Sequence, residues 1–143
     1  THDSDQAVLT LLKVSDVIET DFSTVKIDDT LGRLVEVVSE STRNIFPVLD
    51  SVDRFQGFVS LEDIRKDMFR TDEYETLHVF NFMRSAEEYV YEDEKMDSVM
   101  KKFEATSAWN LPVVRRDRTY VGFVSKSKIF SAYRDELKVV SQD

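Results

Sequence analysis

An internal repeat constrains this chain more strongly than any other feature of its sequence. The pair Pro47-Val48 recurs as Pro112-Val113, and the run Gly57-Phe58-Val59-Ser60 recurs as Gly122-Phe123-Val124-Ser125. Both recurrences have the same spacing, from 47 to 112 and from 57 to 122, so nothing is inserted between the two motifs in either copy. Self-similarity at a fixed period marks a structural unit that occurs more than once. The sequence therefore predicts two copies of one fold in tandem.

Each copy reads as strand, helix, strand, strand, helix. Thr30 is a good helix N-cap, and Asp28 and Asp29 lie where the positive end of a helix favours acidic side chains. Apolar residues follow at helical spacing in both copies, with Leu31, Leu34, Val35 and Val38 matching Met96, Val99, Met100 and Phe103. We predict strands at 45–49, 54–59, 111–114 and 119–124, and helices at 6–12, 61–70, 96–105 and 126–134.

The predicted fold class is α/β (α+β), with two βαββα repeats. The predicted boundaries are a linker and lead-in helix at 1–13, repeat 1 at 14–70, a connection at 71–78, repeat 2 at 79–134 and a C-terminal tail at 135–143. A unit of roughly 50 residues cannot bury both faces of a small sheet by itself. We therefore expect the two sheets to pack face to face with pseudo-twofold symmetry, leaving a cleft on each side of the axis.

Composition excludes several classes of function. The chain has no cysteine, which removes disulfides, thiolate metal sites and a cysteine nucleophile. Its net charge of −9 argues against nucleic acid as the main partner, because contacts with phosphates need a clustered basic surface. No apolar run approaches the roughly 18 residues of a membrane span. Thr1 in place of Met predicts that the chain is a fragment of a longer protein.

Together these features resemble a known family, the CBS domain. The resemblance covers residues 14 to about 134 and rests on an apolar-Pro-Val segment, a turn, and Gly-apolar-Val-Ser at the start of a helix, each present twice. Two such domains in tandem look like a Bateman module. The resemblance implies a non-catalytic module that takes AMP, ADP or ATP as a regulatory ligand between its repeats, requires no other cofactor, and regulates an attached protein.

Four segments resemble a narrower group, the cytoplasmic C-terminal region of bacterial CLC-type chloride channels and transporters. They are the runs 6–12, 43–48, 108–113 and 121–130. This resemblance implies a membrane-embedded channel part N-terminal to Thr1, a soluble fragment at the cytoplasmic side of the inner membrane, and a homodimer formed through the CBS modules. The alternatives are a ligand-free dimerisation module and the regulatory CBS pair of a metabolic enzyme.

The resemblance to CBS pairs also implies a nucleotide site. In pairs that bind nucleotides, a Ser/Thr-x-x-Asp motif at the start of the last helix holds the ribose hydroxyls, and Ser60 and Asp63 match it. A carboxylate can accept hydrogen bonds from both vicinal hydroxyls. The acid of one repeat works with the pre-proline segment of the other, which here is Ala108, Trp109, Asn110 and Leu111. Trp109 can stack on a purine. The simpler interpretations are helix capping by Ser60 and burial of Trp109 against a sheet.

A second, degenerate site is implied by the same symmetry. It pairs Arg43, Asn44 and Phe46 with Ser125 and Lys128. Lys128 stands where the ribose acid should be, so this site should bind nucleosides weakly or not at all. The window 50–63 is net acidic, whereas the matching window 115–128 is net basic. That basic window can serve a phosphate, an acidic partner surface or pairing of modules, or it can be a solvated rim.

The sequence predicts no catalytic residue and no metal site. His2 and His78 lack companions at ligand spacing, and the acidic residues between 87 and 94 lack the glycine and alternating oxygen ligands of a calcium loop. No glycine-rich phosphate loop or nucleophile elbow occurs. Helix capping already explains Asp28 and Asp29. We therefore predict that the chain is not an enzyme.

Overall fold

The computed structural model describes residues 11–142, with side chains described for 11–139, so the lead-in helix predicted at 6–12 lies mostly outside the described residues. The helices are α1 (Val14–Val17), α2 (Leu31–Ser39), α3 (Leu61–Ile64), α4 (Met96–Ala105) and α5 (Lys126–Gln142). The strands are β1 (Val25–Lys26), β2 (Ile45–Leu49), β3 (Phe55–Ser60), β4 (Val90–Tyr91), β5 (Asn110–Val114) and β6 (Tyr120–Ser125). Two short 3-10 helices, Thr71–Glu73 and Val79–Asn81, lie between α3 and β4.

The strands form two three-stranded sheets, ordered β1-β2-β3 and β4-β5-β6. In the first sheet β1 is parallel to β2, and β2 is antiparallel to β3 with a register shift between Val48 and Leu49. In the second sheet β4 is parallel to β5. Val25 pairs with Val48 and Val90 pairs with Val113, so the register is the same in both copies. The predicted mixed α/β fold with two repeats is confirmed.

Several predicted elements have the bounds that the sequence indicated. The strand Ile45–Leu49 and the helix Met96–Ala105 are confirmed at both ends. Thr30 caps α2, since its Oγ1 accepts a hydrogen bond from the Arg33 N–H at 3.2 Å. The other predicted strands are displaced by one residue at one or both ends, as expected for boundaries read from sequence.

Two helix predictions were wrong in length. The helix predicted at 61–70 ends at Ile64, and tighter turns follow in which the Asp67 N–H binds the Ile64 carbonyl and the Arg70 N–H binds the Asp67 carbonyl. The Tyr74 hydroxyl donates to the Met68 carbonyl, so that carbonyl is engaged outside a helix. In contrast, α5 continues to Gln142 through the segment predicted to be a tail. It does so because Tyr133 and Leu137 keep a helical face packed on the core.

The chain divides into two compact units, each with its own apolar core. Among the described residues, unit 1 contains 11–20, 87–116 and 121–142, and unit 2 contains 21–86 and 117–120. The core of unit 1 includes Val17, Val99, Phe103, Leu111, Val113 and Ile129, and that of unit 2 includes Leu31, Leu34, Phe46, Val48, Ile64 and Val79. Each unit therefore contains the sheet of one repeat together with the first residues of the other repeat. We call these first residues the opening segments, 11–20 in unit 1 and 79–86 in unit 2.

The opening segments bind the sheets through matching backbone bridges. In unit 1 Glu19 pairs with Phe123, and in unit 2 Arg84 pairs with Phe58, each through two N–H to carbonyl hydrogen bonds of 2.8 and 2.9 Å. This close approach explains the repeated glycines. A Cβ on Gly57 would lie less than 3.0 Å from the Arg84 carbonyl oxygen, and a Cβ on Gly122 would lie equally close to that of Glu19.

Residues 117–120 join unit 2 through the turn that follows β2. The Phe55 N–H donates to the Arg118 carbonyl, and the Tyr120 N–H donates to the Asp53 carbonyl, both at 3.0 Å. The rings of Phe55 and Tyr120 stack with their centroids 6.1 Å apart. Asp53 and Arg118 occupy equivalent turn positions, and both have a positive φ, 64° and 76°. The two copies thus share a positive-φ backbone conformation that residues other than glycine rarely adopt.

Candidate functional site

Ser60 lies at the junction of β3 and α3, and its side chain does not cap the helix. Along β3 buried and half-buried residues alternate, and this alternation puts Ser60 on the half-buried face at the strand end. Its side chain makes no capping hydrogen bond to α3. The equivalent Ser125 behaves differently, because its Oγ accepts from the Lys128 N–H at 3.1 Å. The capping interpretation therefore describes Ser125, and for Ser60 it is wrong.

Asp63 forms a two-point ion pair with Arg84 in unit 2. Arg84 Nε lies 2.5 Å from one carboxylate oxygen and Nη2 lies 2.6 Å from the other. The hydrogen bond to Asp63, together with its charge, raises the pKa of Arg84 above the ordinary value. The Asp63 side chain is 21% exposed and that of Arg84 is 62% exposed, so the pair lies at the surface.

Arg84 was missed by the sequence reasoning because it is 21 residues from Asp63 along the chain. A signal for it existed in the repeat. The spacing that equates Pro47 with Pro112 also equates Asp63 with Lys128 and Glu19 with Arg84. The signs of charge are therefore reversed between the two copies: acidic Asp63 corresponds to basic Lys128, and basic Arg84 corresponds to acidic Glu19.

The pre-proline segment of unit 1 offers an exposed aromatic ring. Trp109 is 69% exposed, so the interpretation that it is buried against a sheet is wrong. Lys126 Nζ lies 5.2 Å from the centroid of its ring, and the Lys126 N–H donates to the Trp109 carbonyl at 2.9 Å. Asn110 is exposed and Ala108 packs at the margin of the core. Leu111 is buried in the core, which leaves only its backbone for a ligand.

The residues of the second predicted site are mostly engaged in other contacts. Arg43 pairs with Asp21, and its guanidinium lies over the Phe22 ring, 4.2 Å from the centroid. Phe46 is fully buried in the core of unit 2. The Asn44 carbonyl accepts from the Leu61 N–H at 2.9 Å, whereas the Asn44 side chain is exposed. In unit 1 Ser125 caps α5 and Lys128 is exposed.

The basic window at 115–128 is partly neutralised within unit 1. Arg115 Nε lies 3.4 Å from Glu92, and Arg116 Nη2 lies 3.0 Å from Asp93. The Arg116 guanidinium also lies 4.1 Å from the centroid of the Tyr91 ring. The acidic residues before α4 therefore form ion pairs with the arginines after β5. Neither segment by itself predicts this pairing from the sequence.

A pocket and a stacked histidine are further features of the described residues. A pocket of about 470 Å³ in unit 1 is lined by residues 12–15 and 92–97. His78 stacks on Phe80, with ring centroids 5.1 Å apart. Within residues 11–142, no group of three or more His, Asp or Glu side chains could hold a metal ion. Over the same stretch, no helix combines the length and the apolar character needed to cross a membrane.

Comparison with known proteins assigns the family. The CBS domain model matches residues 14–70 and again residues 79–135, which together are most of the chain. The chain therefore belongs to the CBS domain family, as a tandem pair. CBS pairs are typically non-catalytic regulatory modules.

Two relatives and a further solved structure are similar to this chain. An uncharacterized protein of Methanocaldococcus jannaschii is 28% identical over 119 residues, 79% of this chain and 52% of that protein, and its crystal structure superposes with a TM-score of 0.70. A homoserine O-acetyltransferase of Methanosarcina acetivorans is 27% identical over 132 residues, 90% of this chain and 23% of the enzyme. The CBS domain of a bacterial CNNM/CorC family Mg²⁺ transporter has a TM-score of 0.74 at 17% identity, over 90% of this chain and 79% of that chain. This chain thus spans about half of the first relative and about a quarter of the second.

Proposed function

We propose that this chain is the regulatory CBS pair of a larger protein and that it binds an adenine nucleotide through Ser60 and Asp63. CBS domains commonly bind adenine nucleotides as regulatory ligands, which supports the class of ligand. In this proposal Ser60 and Asp63 of unit 2 hold the ribose, as expected from the sequence. The second site, with Lys128 in place of the acid, is proposed to be empty.

One observation carries this proposal. Ser60 is the residue at the start of α3, but its hydroxyl makes no capping bond, whereas the equivalent Ser125 caps its helix. The two copies also differ at the position of the acid. In the copy with Asp63 the serine hydroxyl does not cap the helix, and in the copy with Lys128 it does. If the serine served only the fold, both copies should use it in the same way.

Regulation requires that the ligand bind one state of the module more tightly than another. A ligand shifts a conformational equilibrium only by the difference in its affinity for the two states. We propose that nucleotide binding biases the arrangement of the repeats and that this bias reaches the attached protein. CBS pairs commonly dimerise, so we also propose a homodimer as the working form.

Two resemblances bear on the protein to which this module is attached. The segments 43–48, 108–113 and 121–130 support a chloride channel or transporter, with the module at the cytoplasmic side of the membrane. The likeness to the homoserine O-acetyltransferase, over 90% of this chain, supports an enzyme as the attached protein. The reading frame that encodes this chain distinguishes them, because a channel adds many apolar spans and an enzyme adds a catalytic domain.

Isothermal titration calorimetry with AMP, ADP and ATP tests the proposed site. The comparison uses the wild-type chain, Asp63→Ala, and Lys128→Ala as the control at the equivalent position of the other repeat. Loss of a charged acceptor for two hydroxyls should weaken binding by roughly tenfold to a hundredfold in Asp63→Ala. Lys128→Ala should bind as the wild type does. Unchanged binding by Asp63→Ala would refute the site, and absence of binding to the wild type would refute nucleotide sensing.

A second function, a ligand-free dimerisation module, is favoured by one specific observation. The Asp63 carboxylate already has a partner in Arg84, so the fold satisfies this acid without a nucleotide. This alternative predicts a concentration-dependent dimer in sedimentation experiments and no change of thermal stability when AMP, ADP or ATP is added.

A further inference from the structure

Phe69 is the most exposed large apolar side chain among the described residues. It is 85% exposed, whereas the preceding Met68 packs against the core of unit 2. Phe69 lies in the tight turns that follow α3, where the Arg70 N–H donates to the Asp67 carbonyl at 3.1 Å. The backbone around it is therefore held in place while the ring lies in solvent. An exposed aromatic side chain on an ordered segment is typical of an anchor at a protein interface.

The outer face of α5 in unit 1 has an open hollow of about 450 Å³. Ser127, Phe130, Ser131 and Arg134 line it at helical spacing along one face of the helix, and Tyr133 completes the lining. Phe130 is 44% exposed. The hollow has room for an aromatic ring, which could pack against Phe130 and receive the Arg134 guanidinium over its face.

The internal repeat puts the exposed ring and the hollow on equivalent segments of the two units. The spacing that equates Pro47 with Pro112 also equates Arg65 with Phe130 and Phe69 with Arg134. Repeat 1 therefore has an arginine followed four residues later by a phenylalanine, and repeat 2 has the same two residues in reverse order. The two segments differ most where each has its exposed ring.

The same two segments also differ in charge. Residues 61–75 in unit 2 include six acidic and three basic residues, whereas residues 126–140 in unit 1 include two acidic and four basic residues. Two copies of the chain that paired either segment with itself would bring like charges together, which is unfavourable. Pairing of the acidic segment with the basic one brings opposite charges together and puts Phe69 beside the hollow.

We infer that two copies of this chain associate through these unlike segments, with Phe69 of one copy in the α5 hollow of the other, which rests on the homodimer of the proposed function and gives it an interface. In a dimer with twofold symmetry each copy contributes one ring and one hollow, so the contact is made twice. Burial of the exposed ring favours association, and the opposite charges select which segments pair.

Sedimentation velocity over a range of concentrations measures the self-association of the wild-type chain and of three variants. Phe69→Ser removes the ring, and Ser131→Arg fills the hollow while keeping its basic character. Each should raise the dissociation constant by about tenfold or more, because the aromatic side chain is no longer buried. Phe80→Ser is the matched control, since Phe80 is a 50% exposed phenylalanine of unit 2 outside the segment 61–75. It should change the dissociation constant by less than about threefold.

A mixture of Phe69→Ser and Ser131→Arg tests which segments pair. Phe69→Ser keeps its hollow and Ser131→Arg keeps its ring, so a mixed dimer regains one of the two contacts that each variant lacks by itself. The mixture should associate more tightly than either variant alone, by about threefold or more. If like segments paired, each variant alone would keep one contact and the mixture would keep none.

Circular dichroism melts check the fold of each variant, and Phe69→Ser and Ser131→Arg should melt close to the wild type because both positions are exposed. A wild type that self-associates, with a mixture that associates no more tightly than its two components, would overturn the inference and leave the proposed homodimer standing. A wild type that stays monomeric at millimolar-range concentration would sink both, whereas the nucleotide site is decided separately by the calorimetric titrations.

Discussion

Adding one methyl group at Gly57 or at Gly122 should destabilise the chain far more than adding one at Gly32. At Gly57 the new Cβ would lie less than 3.0 Å from the Arg84 carbonyl oxygen and 2.7 Å from Met83 Cγ. The carbonyl belongs to backbone held by two hydrogen bonds to Phe58, so it cannot rotate away as a side-chain end could. Relief of the clash requires the opening segment to move off β3.

The magnitude follows from what that movement breaks. Two backbone hydrogen bonds, each worth about 1 kcal/mol net, are lengthened or lost. Overpacking of a tight contact costs about 1–3 kcal/mol by itself. We therefore expect Gly57→Ala to lower the free energy of unfolding by about 2–5 kcal/mol, with the upper end reached if both hydrogen bonds are lost. Gly122→Ala should cost a similar amount, because its Cβ would meet the Glu19 carbonyl oxygen in the same way.

Gly32 provides the control within the same chain. It lies in α2, where alanine is favoured over glycine by about 1 kcal/mol. Its added Cβ would lie 3.2 Å from the Tyr74 Cβ, a mild contact that offsets part of this gain. Gly32→Ala should therefore change the stability by less than about 1 kcal/mol.

Urea unfolding followed by far-ultraviolet circular dichroism measures all three variants. The midpoint should fall clearly for Gly57→Ala and Gly122→Ala and stay near the wild type for Gly32→Ala. If Gly57→Ala and Gly122→Ala prove as stable as Gly32→Ala, the opening segments do not lie against the strands as described.

The charge of Glu94, the backbone strain at Arg118 and the exposure of Trp109 each have a measurable consequence. Burial works to raise the pKa of Glu94, but hydrogen bonds from Ser98, the Tyr91 N–H and Lys102 outweigh it and leave the pKa below its ordinary value. Glu94 therefore stabilises the fold at neutral pH and loses this effect as the pH falls through its lowered pKa. Glu94→Gln should cost about 2 kcal/mol at pH 7, and this cost should shrink as the pH falls through that pKa, as measured by urea unfolding. Arg118→Asn should leave stability unchanged or raise it by up to about 1 kcal/mol in the same assay, because asparagine tolerates a positive φ better than arginine does; a loss above that size would contradict this. Iodide should quench Trp109 fluorescence almost as it quenches free tryptophan; strong protection without ligand would contradict the exposure described.

The repeat made much of the fold predictable from the sequence. The strand Ile45–Leu49 and the helix Met96–Ala105 could be recognised because short apolar runs and helical spacing act locally. The end of α3 at Ile64 could not, since it depends on later residues, including the Tyr74 hydroxyl that engages the Met68 carbonyl. A side-chain contact of this kind, made after the helix has ended, leaves no trace in local periodicity.

The candidate site was predictable only in part, for the same reason. Ser60 and Asp63 are recognisable as a motif of neighbours in sequence. Arg84 becomes their neighbour only because the opening segment of repeat 2 binds β3 of repeat 1. The exchange of charge between the Asp63–Arg84 and Lys128–Glu19 positions can be read from the sequence, but its meaning depends on knowing that Asp63 and Arg84 meet in unit 2.

The proposed nucleotide site at Ser60 and Asp63 can be tested directly through the Arg84 side chain, which is hydrogen-bonded to Asp63. Proton–nitrogen correlation spectra of the 143-residue chain can follow the Arg84 Nε–H during a titration with AMP. We expect this signal to move until the site is saturated, and we expect Asp63→Asn to abolish the movement. An Arg84 signal that stays in place at millimolar-range AMP would contradict the proposed site.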